Sequence, residues 1–156
     1  MLKQVKIFKG YSGEKIHTVE YFTLEEIGNL DPEFVSNWYN TVKQKMDVFY
    51  GMTFPRLCLV CGDVIEGAWD AHHGIVSRND VRGFRHTVGN YPYQVVRRML
   101  IDTELNLLPL HHECHLHKPP TREEAWNCLT NIFTEEAVKE WYYSLPWKLG
   151  KPPRTF

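Results

Sequence analysis

No apolar run in this sequence approaches the roughly 20 residues that a membrane-spanning helix needs, so a spanning segment is not expected. The first residues, Met1-Leu-Lys-Gln-Val-Lys6, lead into an alternating pattern and not into an apolar signal core. The expectation is therefore a cytosolic chain, or one in a host cytosol if its source is viral. Net charge is nearly absent: 18 Lys and Arg stand against 19 Asp and Glu, giving −1 with His neutral. That excludes a wholly basic, histone-like binder, although a local basic stretch is enough to hold nucleic acid. Repeats and low-complexity tracts are missing, which sets repeat architectures aside. Cysteine is scarce, with Cys58, Cys61, Cys114 and Cys128 making the full set of four. In a reducing compartment disulfides are not expected from them, and metal binding is the better default.

What is present suits one globular domain. A chain of 156 residues can bury most of its apolar surface. Its 43% hydrophobic and 24% charged residues are ordinary for a folded protein. The supply of 5 Trp, 8 Tyr and 8 Phe favours order over disorder.

The N-terminal segment reads as a β-hairpin. Val5 and Ile7 alternate with polar residues, Gly10 to Gly13 supplies the turn, and a second strand is expected near Ile16 to Phe22. Asp31-Pro32-Glu33 is a helix start, with a capping carboxylate and proline at the first helical position. Val35, Trp38, Tyr39, Val42, Met46 and Phe49 form the apolar stripe of that helix, which Gly51 should close; they read as core. The stretch from Pro55 to Lys118 is irregular and rich in Cys, His and Arg. Thr121-Arg-Glu-Glu124 is a capping box that opens a helix carrying Ala125, Trp126 and Leu129. A second helix should start near Thr134, carry Val138, Trp141, Tyr142 and Leu145, and end before Pro146. The tail holds Lys148, Lys151 and Arg154 without an acid and reads as a basic arm or a frayed terminus.

Cys58-Leu-Val-Cys61-Gly62 has the form of a metal knuckle. Two thiolates three residues apart can face one ion, and the glycine permits the tight turn. His111 and Cys114 repeat the three-residue spacing and complete a Cys₃His set for structural zinc. Such binding is worth about 10–16 kcal/mol, enough to order an irregular segment. A redox pair would want a βαβ setting that the sequence does not offer, and two buried thiols are the bland alternative. His112 could replace His111 at poorer spacing. Cys128 falls on the apolar face of a helix and is assigned to the core.

Three further pieces follow in order: Ala71-His72-His73-Gly74, then Leu105-Asn106-Leu107-Leu108-Pro109-Leu110, then Cys114-His115-Leu116-His117. At these residues the chain resembles the zinc-knuckle-containing HNH endonucleases, the His-Me finger or ββα-metal family. The resemblance covers roughly Pro55 to Pro120, and His111 stands where that pattern usually has its third cysteine. It implies a metal-dependent hydrolysis of DNA phosphodiesters, with His72 as metal ligand and His73 as the general base that takes a water's proton. Asn106 would orient the His73 loop through amide hydrogen bonds or, less often, touch the metal, and His115 would be the second ligand. The further ligand expected one helical turn later falls on Pro119, which cannot serve. His117 lies at the wrong spacing, so water or a phosphate oxygen would complete the site. Imidazole in place of the usual aspartate suits Mn²⁺ or Ni²⁺ as well as Mg²⁺. The ends left would be 5′-phosphate and 3′-hydroxyl, and the size and style are similar to phage or mobile-element nucleases.

The stretch from Gly74 to Ile101 carries Arg78, Arg82, Arg85, Arg97 and Arg98 against the one acid Asp80, with no Lys or Glu. Arginine grips phosphate through parallel hydrogen bonds, so these five are the candidate DNA contacts. Val95 to Ile101 should form a short helix. Glu123, Glu124, Glu135 and Glu136 sit at helix starts, where they answer the dipole and would repel DNA.

The fold expected is α+β: a ββα-metal finger braced by the Cys₃His zinc, flanked by an N-terminal hairpin plus helix and by C-terminal helices. It is taken as one domain over 1–156, with parts at 1–54, 55–120 and 121–156. The partner expected is double-stranded DNA, with no membrane; one active site per chain would need a homodimer or two successive nicks to cut both strands. The alternatives are a non-cutting zinc-ribbon DNA-binding or phage packaging accessory protein, and a nuclease for RNA or single-stranded nucleic acid.

Overall fold

The computed structural model describes residues 2–8, 14–53, 57–58 and 60–147. Among the described residues it is a mixed α+β chain with two small antiparallel sheets and six helices. Strands β1 (Leu2–Phe8) and β2 (Glu14–Glu20) pair with Val5 opposite His17. The expected turn at 10–13 and the basic residues Lys148, Lys151 and Arg154 lie outside the described residues.

A short helix not anticipated from the sequence, α1 (Leu24–Ile27), follows the hairpin. Its signal was present as Thr23-Leu-Glu-Glu26: the Thr23 and Glu26 side chains each bond the other's backbone N–H, a complete capping box. Helix α2 (Pro32–Thr53) begins at the expected residues, with the Asp31 carboxylate accepting from the N–H groups of Glu33 and Phe34. It does not end at Gly51 but runs through it. A helical glycine costs only about 0.5–1 kcal/mol, and burial of Met46, Phe49 and Tyr50 outweighs that.

The stretch that reads as irregular contains three further elements before its last short helix. These are β3 (Asp70–His73), α3 (Tyr93–Ile101) and β4 (Leu107–Leu110), followed by α4 (His112–His117). Strand β3 pairs antiparallel with β4, Asp70 opposite Leu110 and His73 opposite Leu107. Helix α4 then packs back against β3. Helix α5 (Arg122–Phe133) opens on the Thr121–Glu124 capping box, and α6 (Glu135–Ser144) follows after Thr134. Leu145 is the cap of α6 and not part of it.

The core lies between α2, α3, α5, α6 and the β3–β4 ladder. Trp126, Trp141, Met46, Leu100, Leu107 and Phe133 are fully buried there. Two polar links tie the outer elements in. Glu104, only 1% exposed, accepts from His17 at 2.9 Å and pairs with Lys45 at 3.4 Å. The His17 ring stacks on Phe49 at 4.3 Å, so the hairpin is docked by both a polar and an aromatic contact. Gly74, directly after His73, lets α5 come close: a Cβ there would meet the Ala125 Cβ at 2.6 Å. Among the described residues, no helix is long and apolar enough to cross a membrane.

Candidate metal centre and adjoining cleft

Cys58, Cys61, His111 and Cys114 converge. Their ligand atoms all lie within 4.8 Å of one another, and Cys61 Sγ is 3.3 Å from His111 Nδ1. The backbone shapes the knuckle. Gly62 takes φ +76°, its N–H bonds back to the Cys58 carbonyl at 2.9 Å, and the Cys58 N–H reaches the Asp63 carbonyl at 2.9 Å. Burial pushes the Cys58 thiol up, but amide hydrogen bonds at Cys61, His111 and Val60 outweigh it and bring the thiol down to about 6. Desolvation, then the neighbouring Cys58 and Cys61 thiols, raise Cys114 to about 11. Soft sulfur donors, one imidazole and N–H groups aimed at sulfur fit a tetrahedral ion, so this set could hold a metal such as zinc.

His112 does not take the place of His111. It is 67% exposed, and its Nδ1 lies 2.8 Å from Asp70 Oδ2. The same carboxylate oxygen is 2.9 Å from His115 Nδ1, so Asp70 links the two histidines of α4 to β3. Burial opposes ionisation of Asp70, but the bonds from His115 and His112 prevail and hold its carboxyl below the usual range.

Beside the knuckle is an open cleft of about 430 Å³ lined by Tyr39, Lys43, His72, His73, Arg78 and His115, with Asp70 at its edge. The His72 and His115 rings stand edge to face, 4.9 Å between centroids. Desolvation, followed by the fields of His115 and His73, lowers His72 to about 4, so it is a neutral imidazole at neutral pH. His73 turns the other way along the ladder, and its Nε2 lies 2.6 Å from Asp102 Oδ1. Among the described residues no three His, Cys, Asp or Glu side chains of this cleft converge as tightly as the knuckle does.

Asn106 sits beneath the cleft and not in it. It is fully buried, its Oδ1 accepts from the N–H groups of Ile75 (3.0 Å) and Val76 (2.9 Å), and its Nδ2 donates to the carbonyls of Val76 (2.9 Å) and Ile101 (3.0 Å). Its own carbonyl accepts from the Gly74 N–H at 2.8 Å. One side chain thus pins the loop that leaves His73 to the end of α3. The amide is saturated by backbone, and its oxygen has no remaining lone pair for a metal.

No protein-family model matches this chain, and no curated protein or solved structure matches it either. The site therefore rests on its own geometry.

The five candidate arginines divide. Arg78 lines the cleft, and with Arg82, Arg97 and Arg98 it also lines a second groove of about 430 Å³ next to it. Arg97, half-buried, is also tied down within the protein: its Nη1 donates to the Arg82 carbonyl at 2.8 Å, and its guanidinium lies 4.7 Å from the centre of the Tyr93 ring. Arg85 approaches the same ring at 5.6 Å. Asp80, the stretch's one acid, is neutralised by Arg122 of α5 at 2.7 Å.

Four residues at or behind the cleft escaped the sequence reading. Tyr39 and Lys43 belong to α2; Tyr39 reads as core stripe and Lys43 carries no signal of its own, yet their four-residue spacing puts both on the cleft side. Burial first, then Asp102 and Asp70, raise the Tyr39 hydroxyl above its ordinary range, so it stays a proton donor. Asp70 lies two residues before His72, which on a strand means the same face. Asp102 caps the C-terminus of α3, where the helix dipole disfavours a carboxylate; an acid kept at such a position is itself a signal.

Proposed function

We propose that this chain is a metal-dependent DNA endonuclease with His73 as general base and the Cys₃His set as a structural zinc site. One observation supports this above the rest: the adjacent His72 and His73 and the distant His115 line one cleft together with Arg78. The order of the parts also agrees with the HNH resemblance, since a β-ladder carrying the histidine pair is followed directly by the helix carrying His115.

His72 and His115 are the residues that would hold a divalent ion, His72 by being neutral and desolvated, His115 by having its Nδ1 engaged by Asp70 and its Nε2 left over. Such an ion, Mg²⁺, Mn²⁺ or Ni²⁺, supplies charge neutralisation at the phosphate and at the departing 3′ oxygen. The protein's own part is to place groups. His73 accepts the proton of a water at the nitrogen not facing Asp102. Asn106 fixes the loop on which His73 ends. Arg78 and Lys43 bring positive charge to the cleft, and Arg78, Arg82 and Arg98 extend it along the strand. Double-stranded DNA is the proposed substrate, and cutting both strands would take two copies of this chain or two successive nicks.

The test is nicking of supercoiled plasmid by the zinc-loaded chain with Mg²⁺, Mn²⁺ or Ni²⁺, wild type against His73→Ala. Metal-dependent nicking by the wild type alone is expected. A folded, zinc-loaded wild type that binds plasmid and never cuts it would instead make the chain a DNA-binding or packaging accessory. Cleavage confined to RNA or single strands in a parallel panel would correct the substrate class.

A further inference from the structure

Asp102 is a buried acid in the wrong place for a helix. It closes α3 at the end where the dipole is negative, yet its carboxylate is only 4% exposed and faces His73, itself 11% exposed, at 2.6 Å. A carboxylate buried this far persists only where a donor meets it. From the geometry we infer that Asp102 is a positioning residue for His73, an inference that rests on the nuclease reading above. An ionised carboxylate can only accept, so the imidazole must donate Nε2–H to it. The neutral ring then keeps its lone pair on Nδ1, and Nδ1 becomes the atom that can take a proton in the cleft.

The surroundings hold both partners still. The Asp102 N–H bonds to the Arg98 carbonyl at 2.9 Å, and the Asp102 carbonyl accepts from Trp38 Nε1 at 2.7 Å. Both backbone groups of Asp102 are thus fixed, one within α3 and one to α2. Asn106 then joins the two sides of the pair: it holds Ile101, next to Asp102, and Ile75 and Val76, just past His73. The distance between carboxylate and imidazole is set by a saturated amide and not left to two mobile side chains. An aspartate that served folding alone would be served as well by any acceptor of its shape. One that selects a tautomer would not, because an amide can turn its NH₂ toward Nε2 and drive the proton to Nδ1.

The experiment uses the full, zinc-loaded chain with ¹⁵N-labelled histidine at alkaline pH. Long-range ¹H–¹⁵N spectra report which nitrogen of His73 carries the proton, assigned by comparison with His73→Ala. Plasmid nicking with Mn²⁺ is measured alongside for wild type, Asp102→Asn and Asp102→Glu. The expected result is an Nε2–H tautomer in wild type and a shift toward Nδ1–H in Asp102→Asn. In that variant kcat should fall on the order of 10²–10⁴-fold, the range a general base contributes, with KM and zinc content unchanged. Asp102→Glu should recover part of kcat, because the carboxylate is retained. An Nδ1–H tautomer in the wild type overturns the inference without any activity measurement. So does an Asp102→Asn protein that nicks at the wild-type kcat. A wild type that cuts no nucleic acid overturns the nuclease reading and the catalytic meaning of the pair with it, and the tautomer spectrum then decides the hydrogen bond alone.

Discussion

Two histidine-bearing clusters share one short helix, α4, and they are built on opposite plans. In the knuckle, four ligand atoms converge within 4.8 Å, and nothing else is needed to define the site. In the cleft, His72 and His115 stand 4.9 Å apart by ring centroid, Asp70 holds His115 and His112, Asp102 holds His73, and Arg78 lines the rim. Closed coordination suits a metal that holds a fold together; an incomplete shell with room beside it suits a metal that must meet a substrate. The adjacent histidines show how finely this is divided. His111 goes to the sulfurs and His112, the next residue, to Asp70, while His72 faces His115 and His73 faces Asp102.

The largest effect should come from breaking the closed site. Cys58→Ser is expected to lose the metal and, with it, the order of the stretch around β3, β4 and α4, since zinc binding to such sets is worth about 10–16 kcal/mol. Metal analysis and a thermal melt followed by circular dichroism would check it. His72→Ala, in the open site, should keep zinc and fold while losing nicking. If both variants lost zinc alike, the division between the two clusters would be wrong.

Next in size is Asn106→Ala. It strands two buried N–H groups and the Val76 carbonyl, at roughly 1–3 kcal/mol for each group left without a partner, while the Ile101 carbonyl keeps the Thr103 N–H. Urea unfolding should show a loss of several kcal/mol, and hydrogen exchange at Ile75 and Val76 should speed up, with zinc content unchanged. Slow exchange at those two amides in the variant would mean that other acceptors replace the side chain.

These two outcomes bear on what the sequence could disclose. The knuckle was legible because ligand spacing along the chain translates directly into ligand spacing in space, and Gly62 at φ +76° is the turn that such spacing demands. The capping boxes at Thr23 and Thr121 are local in the same way, although only the second was recognised. The pairing of Asp102 with His73 was not legible, nor was that of Asp70 with both His112 and His115, because each depends on the registration of separate elements. The five arginines looked equivalent in sequence. Only folding separates Arg97, tied to the Arg82 carbonyl, from Arg78, which faces the cleft. Gly51 misled because a helix stop is a local signal, and here burial of the side chains before it prevails.

The arginines give a smaller, graded test. Arg78→Ala and Arg82→Ala should each weaken DNA binding and reduce the slope of log K against log salt by about 1. Arg97→Ala should lower that slope less, because its guanidinium is already tied to the Arg82 carbonyl, and cost stability of about 1 kcal/mol, the scale of one hydrogen bond. Equal slopes for all three variants would remove the distinction drawn between the rim arginines and the tied one.

The smallest expected effect is a pH dependence. The folded chain holds His72 near 4 against an ordinary 6.5, so the unfolded chain takes up the proton first as pH falls. The contribution of His72 to stability is therefore complete above about pH 6.5 and declines toward pH 4. Comparing wild type with His72→Gln by urea unfolding at several pH values cancels the zinc ligands, which both proteins share. The advantage of wild type should shrink on acidification, and parallel curves would show that His72 is as solvated as a surface histidine.

Helix α4 has six residues, and Cys114 and His115 are neighbours on it. Each residue advances an α-helix by about 100° and 1.5 Å. Inserting a single residue between Cys114 and the cleft histidine would swing His115 away from His72 while leaving the knuckle's own spacing intact. The two clusters thus share a ruler one residue long. Insertions should be tolerated in the arginine-bearing stretch ahead of α3 and refused here, so the segment with the least core of its own is the one whose length is least free to change.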